Sequence, residues 1–418
     1  MSSAAAASQP RAFPTSGFDL IEESRRIEEE TLPGYTPDKY YPVRLGEVLG
    51  NRYHVVGKLG YGTTSTVWLG RDLQEESRYV TLKLYVSGLQ RDTELRVYDR
   101  FDMIETDHPG KTFLRKLFGS FYVKGKNNAR DGAGDDTSHL CLVHEPLGLS
   151  LDQVLDLYPH GKFPLEVLKP SLRQILMAVS FLHEQAMIAH TDLQTTNMLI
   201  GVVNPIVFTL FERAEHEQPT PRKVLEDRVI YTTRRLLPSE GLPFLCDFGE
   251  ARFTDEDGFG AAGEDIMPDV YKAPEVMLQM KWDEKVDIWN MAMVVWQLVT
   301  GKALFKGKNK MDDLVFQDDR VHLAEICALI GQPPAEFLKR SEMCPAVWNA
   351  DGSWKGVVPI PDISLEGLAK TAEIEGEDLA DFLKFLRRML RWLPEERPTC
   401  RELVYDPWLM KGLGEKQA

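Results

Sequence analysis

The chain has 418 residues, of which 43% are hydrophobic and 27% are charged. It can therefore form two or three compact units, or one bilobal unit with a tail, and it is not globally disordered. Its formal net charge of −15 argues against generic binding to nucleic acids or anionic membranes and permits basic partners. The longest apolar runs, such as Met291–Val295, are too short to cross a bilayer, and the five cysteines lack disulfide or zinc spacing, so we expect a protein of the cytoplasm and/or nucleus without direct membrane or nucleic-acid contact.

The N-terminal residues show no regular hydrophobic pattern. Residues 1–16 are small, polar and interrupted by proline, and Pro33-Gly34 marks a turn. We therefore predict a disordered tail over residues 1–34, followed by a first domain over residues 35–147 that begins with a weakly structured extension.

A β-rich part is followed by a helical part. Tyr53–Leu59, Thr66–Gly70 and Arg78–Tyr85 are rich in β-branched and aromatic residues, which is typical of strands. Beyond residue 165, apolar residues recur at helical spacing. They form two stripes, Leu172, Ile175, Leu176, Val179 and Leu182, then Leu379, Phe382, Leu383, Leu386, Met389, Leu390 and Leu393, with Pro394 ending the second. The pattern predicts an α+β, bilobal protein with a larger helical domain over residues 148–412.

A glycine-rich segment lies between two predicted strands. Leu59-Gly60-Tyr-Gly62-Thr-Thr-Ser65-Thr-Val67 contains glycines that let the backbone approach phosphates and present N–H groups to them. Taken alone, a Gly-x-Gly in a hairpin is more often only a turn. As a nucleotide-binding segment it would use Leu59, Gly60, Gly62, Ser65 and Val67.

A lysine on the next strand strengthens the nucleotide hypothesis. Strand alternation puts Leu82 and Leu84 on one face and Lys83 on the other, where Lys83 could reach phosphates. Glu94 is the best candidate for a helical glutamate that pairs with this lysine. A surface glutamate is an equally good interpretation of Glu94.

Two short motifs carry the predicted chemistry. His190-Thr-Asp192-Leu-Gln-Thr-Thr-Asn197 is followed about fifty residues later by Asp247-Phe-Gly. In such a pair, Asp192 would orient a substrate hydroxyl or accept its proton, while Asn197 and Asp247 would coordinate Mg2+. Each motif alone is commonplace, but their order after a glycine loop and a strand lysine is not expected by chance.

These residues resemble those of eukaryotic protein kinases. The chain is most similar to the serine/arginine-protein-kinase branch of the CMGC group, and to its fungal members, from about Tyr35 to Leu409. The branch-specific words are Gly-Tyr-Gly-Thr-Thr-Ser-Thr-Val-Trp-Leu (60–69), His-Thr-Asp-Leu (190–193) and Tyr-Lys-Ala-Pro-Glu-Val (271–276).

The resemblance implies a bilobal protein-kinase fold with a small β-rich N-lobe and a larger helical C-lobe containing the catalytic loop, activation segment and a CMGC-type insert. It implies a monomer that uses ATP and Mg2+ to phosphorylate serine or threonine in basic, Arg/Ser-rich proteins. Glu145 and Leu147 match the hinge whose backbone binds adenine. Arg397 matches the arginine that pairs with the glutamate of Ala-Pro-Glu, here Glu275, and Asp287 is expected to be buried.

The chain departs from the kinase pattern at the reaction centre. Gln194 stands where a lysine usually contacts the γ-phosphate, and Pro268 stands where a threonine usually bridges that lysine and the catalytic aspartate. Losing one such contact costs about 10²–10³ in rate, so slow transfer is expected, with Gln194 as a catalytic residue. The alternative is a pseudokinase scaffold that binds nucleotide or partners without efficient turnover.

Two further features bear on regulation. Thr191 replaces the arginine that binds a phosphorylated activation loop in many kinases, and Thr254 and Tyr271 are the only hydroxyl side chains between Gly249 and Ala273. Activity is therefore expected without loop phosphorylation. Residues 201–242 form an insertion that we interpret as an excursion on the C-lobe surface, either a docking element or a passive loop.

Overall fold

A computed structural model describes residues 9–75, 78–89, 92–125, 138–311, 314–370 and 376–412. The chain divides into two compact units. The first is drawn from Met1–Arg91, Arg115–Leu149 and Ile200–Gly241. The second is drawn from Asp92–Leu114, Ser150–Leu199 and Leu242–Ala418.

The longer strands come first in the chain and most helices come later, but the helix Thr93–Met103 lies among the first strands and short strands recur among the later helices. The strands are β1 (Val48–Leu49), β2 (Tyr53–Tyr61), β3 (Ser65–Asp72), β4 (Tyr79–Tyr85), β5 (Leu117–Lys124), β6 (Ser138–His144), β7 (Ile188–Ala189), β8 (Met198–Ile200), β9 (Arg222–Val224), β10 (Val229–Tyr231), β11 (Pro243–Leu245), β12 (Arg252–Phe253), β13 (Lys308–Met311) and β14 (Leu314–Gln317). The α-helices are α1 (Thr93–Met103), α2 (Leu151–Leu155), α3 (Leu165–Phe181), α4 (Ile206–Glu217), α5 (Pro274–Met277), α6 (Lys285–Thr300), α7 (Asp319–Ile330), α8 (Ala335–Leu338), α9 (Cys344–Val347), α10 (Leu365–Ala369), α11 (Gly376–Met389), α12 (Cys400–Val404) and α13 (Pro407–Met410). Short 3-10 helices lie at Glu28–Thr31, Pro37–Lys39, Pro109–Phe113, Pro159–Gly161, Thr195–Asn197, Asp269–Tyr271 and Pro394–Glu396.

The first unit is built on an antiparallel sheet of order β1-β2-β3-β4-β6-β5. The three predicted strands are confirmed as β2, β3 and β4. Alternation places Leu82 and Leu84 in one apolar cluster with Val55, Trp68 and Val143, because successive side chains of a strand point to opposite faces.

The insertion after the catalytic loop belongs to the first unit. From the sequence we predict that it lies on the surface of the C-lobe, within a single domain over residues 148–412, so the structure differs from both predictions. Helix α4 lies against strand β2 at Gly57, where an added Cβ would come within 2.6 Å of the Phe211 ring. The Tyr79 hydroxyl of β4 donates to the buried Glu212 carboxylate of the same helix. Apolar contact and a buried hydrogen bond therefore attach α4 to the sheet.

The N-terminal segment is also part of the first unit. The prediction of a disordered tail over residues 1–34 therefore differs from the structure from residue 9 onward. Residues 1–8 lie outside the described chain. Glu29 forms an ion pair with Lys58 of β2, and Glu30 lies 2.7 Å from the Lys223 ammonium of β9. Burial of these lysines makes an unpaired charge costly, so each needs its glutamate. The partners are distant in sequence, and no local pattern indicates them.

The second unit is mainly helical, as predicted. The first apolar stripe forms α3, which ends at Phe181, before Leu182. The second forms α11, which ends at Met389, before Leu390 and Leu393. Helix α6 is buried along almost its whole length. Among the described residues, no helix has both the length and the apolar character needed to cross a membrane.

The predicted pairing of Arg397 with Glu275 is confirmed. The guanidinium forms two hydrogen bonds to the carboxylate, at 2.6 and 2.7 Å, and both side chains are almost fully buried. The guanidinium also donates to the backbone oxygens of Lys285 and Arg391. Such a planar, two-point pair joins α5 to the chain that follows α11.

We predict that Arg397→Met destabilises the second unit by about 3–5 kcal/mol, because the Glu275 carboxylate is left buried and unpaired. Urea unfolding, together with hydrogen exchange of α5 and α6, measures this loss. The double variant Arg397→Met/Glu275→Leu is the control and should recover much of the stability. Equal destabilisation in the single and double variants would contradict a role for the charge pair.

Candidate functional site

A buried carboxylate fixes the catalytic loop in the second unit. Asp287 of α6 is fully buried, and its two oxygens accept the backbone N–H groups of His190 and Thr191 at 2.7 and 2.9 Å. The His183 ring lies 2.8 Å from the same carboxylate. Thr191 has a φ of +61°, which is unfavourable for a β-branched residue. The Asp287 hydrogen bonds therefore stabilise a strained backbone immediately before Asp192.

Two amides bind the two oxygens of Asp192. The Gln194 side-chain N–H donates to Oδ1 at 2.8 Å, and the Asn197 side-chain N–H donates to Oδ2 at 2.7 Å. Asn197 donates also to the Asp192 backbone oxygen at 3.0 Å. The predicted residues Asp192, Gln194 and Asn197 thus lie together, and the carboxylate has one orientation.

Burial raises the pKa of the Asp192 carboxyl above its ordinary value. The charge of Asp247 also raises this pKa, whereas His190 and the hydrogen bonds from Asn197 and Gln194 lower it. Asp247 therefore lies close enough to Asp192 for the two charges to repel each other. A cation placed near both carboxylates would relieve that repulsion.

The Asp247-Phe248 segment is oriented by aromatic contacts. The Phe248 ring is fully buried and lies edge-to-face with Tyr98 and Phe101 of α1, at centroid distances of 5.5 and 5.2 Å. The His190 ring lies 5.4 Å away on another side. Asp247 itself has a φ of +63°, a conformation that a non-glycine residue keeps only when its surroundings impose it. The packing of Phe248 supplies that constraint.

Asn197 and Asp247 fit the requirements of a magnesium site. Because the Asn197 amide nitrogen faces Asp192, its oxygen points to the other side, where it can bind a cation. The described chain contains no cluster of three or more histidine, cysteine, aspartate or glutamate side chains suited to a metal. One amide and one carboxylate suit Mg2+, which commonly takes its remaining ligands from phosphates and water.

The first unit contains the predicted phosphate-binding residues. Lys83 is buried near the centre of β4, where it lies opposite Val67 of β3 and Leu142 of β6. In the glycine segment, the Gly62 N–H donates to the Ser65 oxygen at 2.8 Å. Ser65 replaces a third glycine and begins β3. The register therefore places Val67 between Lys83 of β4 and Gly60 of β2, and the turn over residues 62–64 that joins β2 to β3 lies beyond them.

The predicted hinge residues follow β6. The Glu145 N–H donates to the Lys116 oxygen at 3.0 Å, and the Glu145 oxygen accepts from Arg115 Nε at 3.1 Å. The Glu145 oxygen already accepts one hydrogen bond, but its second lone pair could accept another from adenine. Adenine binding at Glu145 stays a prediction. Leu147 is buried.

Helix α1 connects to the start of the activation segment by two arginines that the sequence analysis did not single out. Arg96 pairs with Glu256, and Arg100 lies 3.0 Å from Asp255. Both guanidinium groups also lie over the Phe253 ring, 4.7 and 4.9 Å from its centroid. Glu94 is buried in the first turn of this helix, and its pairing with Lys83 stays a prediction.

Tyr271 is predicted from the sequence only as a hydroxyl of the activation segment, and its place near Asp192 is not predicted. Pro268 precedes the 3-10 helix Asp269–Tyr271, and the Tyr271 hydroxyl donates to Gln297 at 2.8 Å. Burial raises the pKa of Tyr271 to about 12, with further contributions from the Asp152 and Asp192 charges. Tyr271 therefore lies near Asp192, in the segment where the usual threonine is missing. Its position before Ala-Pro-Glu was the available signal.

Comparison with known proteins identifies relatives along nearly the whole chain. A family model described as protein kinase domain matches residues 53–409. A serine/threonine protein kinase of Aspergillus fumigatus is 37% identical over 411 residues, covering 97% of this chain and 96% of that protein. Serine/threonine-protein kinase SRPK of Physarum polycephalum is 28% identical over 405 residues, covering 91% of each.

A more distant relative and a solved structure are also kinases. SRSF protein kinase 3 of Homo sapiens is 23% identical over 525 residues, covering 91% of this chain and 90% of that protein. The crystal structure of a kinase domain has a TM-score of 0.64 at 23% identity, covering 89% of this chain and 99% of that one. This likeness confirms the predicted fold class.

We predict that substitutions at Gln194 change the pKa of Asp192 in a fixed order. Gln194→Met removes a hydrogen bond to the carboxylate and raises the pKa, Gln194→Glu adds a negative charge and raises it further, and Gln194→Lys lowers it. Titration of 13C-labelled aspartate carboxyls by NMR measures the order.

Gln279→Met, at an exposed glutamine of the same unit, is the control and should leave the Asp192 titration unchanged. An unchanged pKa in all three Gln194 variants would show that the Gln194–Asp192 hydrogen bond does not form in solution.

Proposed function

Because the chain belongs to the protein kinase domain family and is a serine/threonine kinase, we propose that it transfers the γ-phosphate of Mg-ATP to hydroxyls of basic, Arg/Ser-rich proteins. The observation that carries this proposal is the Asp192 carboxylate, oriented by two amides and raised in pKa beside Asp247. A carboxylate so oriented, with a raised proton affinity, is suited to orient a hydroxyl and accept its proton.

The proposed roles follow from the chemistry of each group. Asn197 and Asp247 would hold Mg2+, which when bound neutralises charge on the transferring phosphate. Lys83 would bind phosphate oxygens, and the backbone of the glycine segment, from Gly60 at the end of β2 through the turn over residues 62–64, would lie against the triphosphate. Glu94 would orient Lys83. Leu59, Ser65, Val67, Glu145 and Leu147 would surround the rest of the nucleotide.

Gln194 explains how transfer could survive without the usual lysine. Its amide reproduces one function of that lysine, a hydrogen bond to the catalytic carboxylate, at 2.8 Å from Asp192 Oδ1. It has no positive charge to stabilise the γ-phosphate. Loss of one such contact typically costs about 10²–10³ in rate, so the proposal is a slow kinase.

The substrate class rests on chemistry and on relatives. The net charge of −15 is compatible with basic partners. Relatives named SRPK and SRSF protein kinase 3 point in the same direction. We further propose that the protein acts as a monomer in the cytoplasm and/or nucleus.

A scaffold that binds nucleotide or partners without useful turnover is the second candidate. Two observations favour it, namely the neutral Gln194 at the catalytic loop and Pro268, which has no hydroxyl to bridge that loop and the activation segment. The scaffold and the slow kinase differ in whether signal depends on Asp192 and Lys83.

We predict that the native protein transfers radiolabelled phosphate from ATP to an Arg/Ser-repeat peptide, and that Asp192→Asn and Lys83→Met both abolish this signal. Loss of the proton acceptor alone should cost about 10²–10⁴ in rate. Initial rates of label incorporation measure the loss.

Asp351→Asn and Lys339→Met, at exposed positions, are the matched controls and should keep the native rate. Equal background from the native protein, Asp192→Asn and Lys83→Met would select the scaffold. A peptide with glutamate in place of arginine tests the substrate class separately, since transfer to it at the same rate would contradict only the basic preference.

We also predict that activity does not require phosphorylation of the activation segment. Arg96 and Arg100 already pair with Glu256 and Asp255, the carboxylates of the segment itself. The double variant Arg96→Gln/Arg100→Gln should therefore lower the rate and speed hydrogen exchange at residues 252–256, although each exposed pair contributes only about 0.2–1 kcal/mol.

Arg387→Gln, which removes another exposed ion pair of the second unit, is the control. Mass spectrometry and an activity assay on unphosphorylated protein complete the test. Activity found only in a phosphorylated fraction would overturn the prediction.

A further inference from the structure

A tyrosine from the N-terminal segment contacts the turn of the glycine loop. Tyr40 follows the 3-10 helix Pro37–Lys39 and is buried. Its hydroxyl lies 3.0 and 3.2 Å from the backbone oxygens of Gly62 and Thr63, which share its single hydrogen. Both oxygens belong to the turn that joins β2 to β3, which is the segment proposed to bind the triphosphate.

The main chain on the N-terminal side of Tyr40 is fixed at two points. The Lys39 oxygen accepts the Ser87 N–H at 2.9 Å, just beyond strand β4. The Pro37 oxygen accepts from Arg228 at 2.5 Å, in the hairpin between β9 and β10. The Tyr35 ring lies 5.1 Å from the Tyr40 ring. Tyr40 therefore presents its hydroxyl from a rigid support.

Hydrogen bonds to the two oxygens orient the peptide groups of the turn. In a trans peptide the C=O and the following N–H point in opposite directions. Because Tyr40 binds the oxygens of Gly62 and Thr63 on one side, the N–H groups of Thr63 and Thr64 point to the opposite side. Backbone N–H groups that point the same way are the usual means of binding phosphate.

Gly60 at the end of β2 and Gly62 of the turn leave space for a ligand. A Cβ added to Gly60 would meet no atom within 4 Å, and one added to Gly62 would meet only the Ser65 oxygen, at 3.9 Å. Neither glycine has a positive φ. Neither backbone strain nor packing within the chain therefore requires glycine here, whereas close approach of a ligand to the backbone does.

We propose that Tyr40 is a positioning residue for nucleotide binding, which holds the glycine loop with its N–H groups turned toward the phosphates. This inference rests on the proposed function, because it needs Mg-ATP to be the ligand. Tyr40 does not contact the nucleotide. Its effect passes through the Gly62 and Thr63 carbonyls, so it acts on phosphate groups and not on adenosine.

The test compares Mg-ATP and adenosine as ligands of the full chain by isothermal titration calorimetry. Tyr40→Phe keeps the ring and removes the hydroxyl, so its affinity for Mg-ATP should fall about 2- to 10-fold, the value of one hydrogen bond. Its affinity for adenosine, which has no phosphate, should be unchanged. Hydrogen exchange at residues 60–66 should be faster than in the native protein.

Tyr41→Phe is the matched control, since it removes the hydroxyl of the neighbouring tyrosine, which lies 3.4 Å from the Glu47 carboxylate. It should bind both ligands as the native protein does. Equal Mg-ATP affinity in the native protein and Tyr40→Phe would overturn the inference, as would an equal loss for adenosine, which would indicate general weakening of the unit. Absence of Mg-ATP binding by the native protein would instead overturn the proposed function, and the inference with it.

Discussion

The carboxylate of Asp287 is the constraint on which the site depends. It is fully buried, and hydrogen bonds from two successive backbone N–H groups and the His183 ring surround it. These donors stabilise a charge that would otherwise be costly in the interior. The same carboxylate keeps Thr191 in a left-handed conformation. This conformation places the following residue, Asp192, within hydrogen-bond distance of the side-chain amides of Gln194 and Asn197.

Buried charges with fixed partners occur in the first unit as well. Lys58 and Lys223 are buried, and glutamates of the N-terminal segment neutralise both. In the second unit, Arg397 and Glu275 form a two-point pair. Buried pairs of this kind add little net stability when they are intact, but they penalise any arrangement that separates the partners. They therefore specify which chain segments come together.

Sequence patterns indicated the features that depend on neighbouring residues. The strands β2, β3 and β4 and the helix α3 follow from local periodicity, and Asp192 and Asn197 follow from a spacing of five residues. Patterns could not place residues 9–34 or the insertion, because Glu30 and Lys223 are 193 positions apart. Tyr40 was missed for the same reason: its partners lie 22 and 23 residues away, and nothing in its own segment indicates them.

The composition of the first unit from three separate stretches has a consequence for biosynthesis. The last strand of its sheet along the chain is β6. Lys58 nevertheless also binds the backbone oxygen of Tyr231, and Glu30 pairs with Lys223, and both partners come much later in the chain. At about 5–20 residues per second, a ribosome takes about 10–40 s to make the chain between Glu30 and Lys223. During that interval, Lys58 already has its partner Glu29, but Glu30 has no lysine to pair with. The nascent sheet also lacks helix α4 and strands β9 and β10, so this unit completes its folding only when more than half of the polypeptide has been translated.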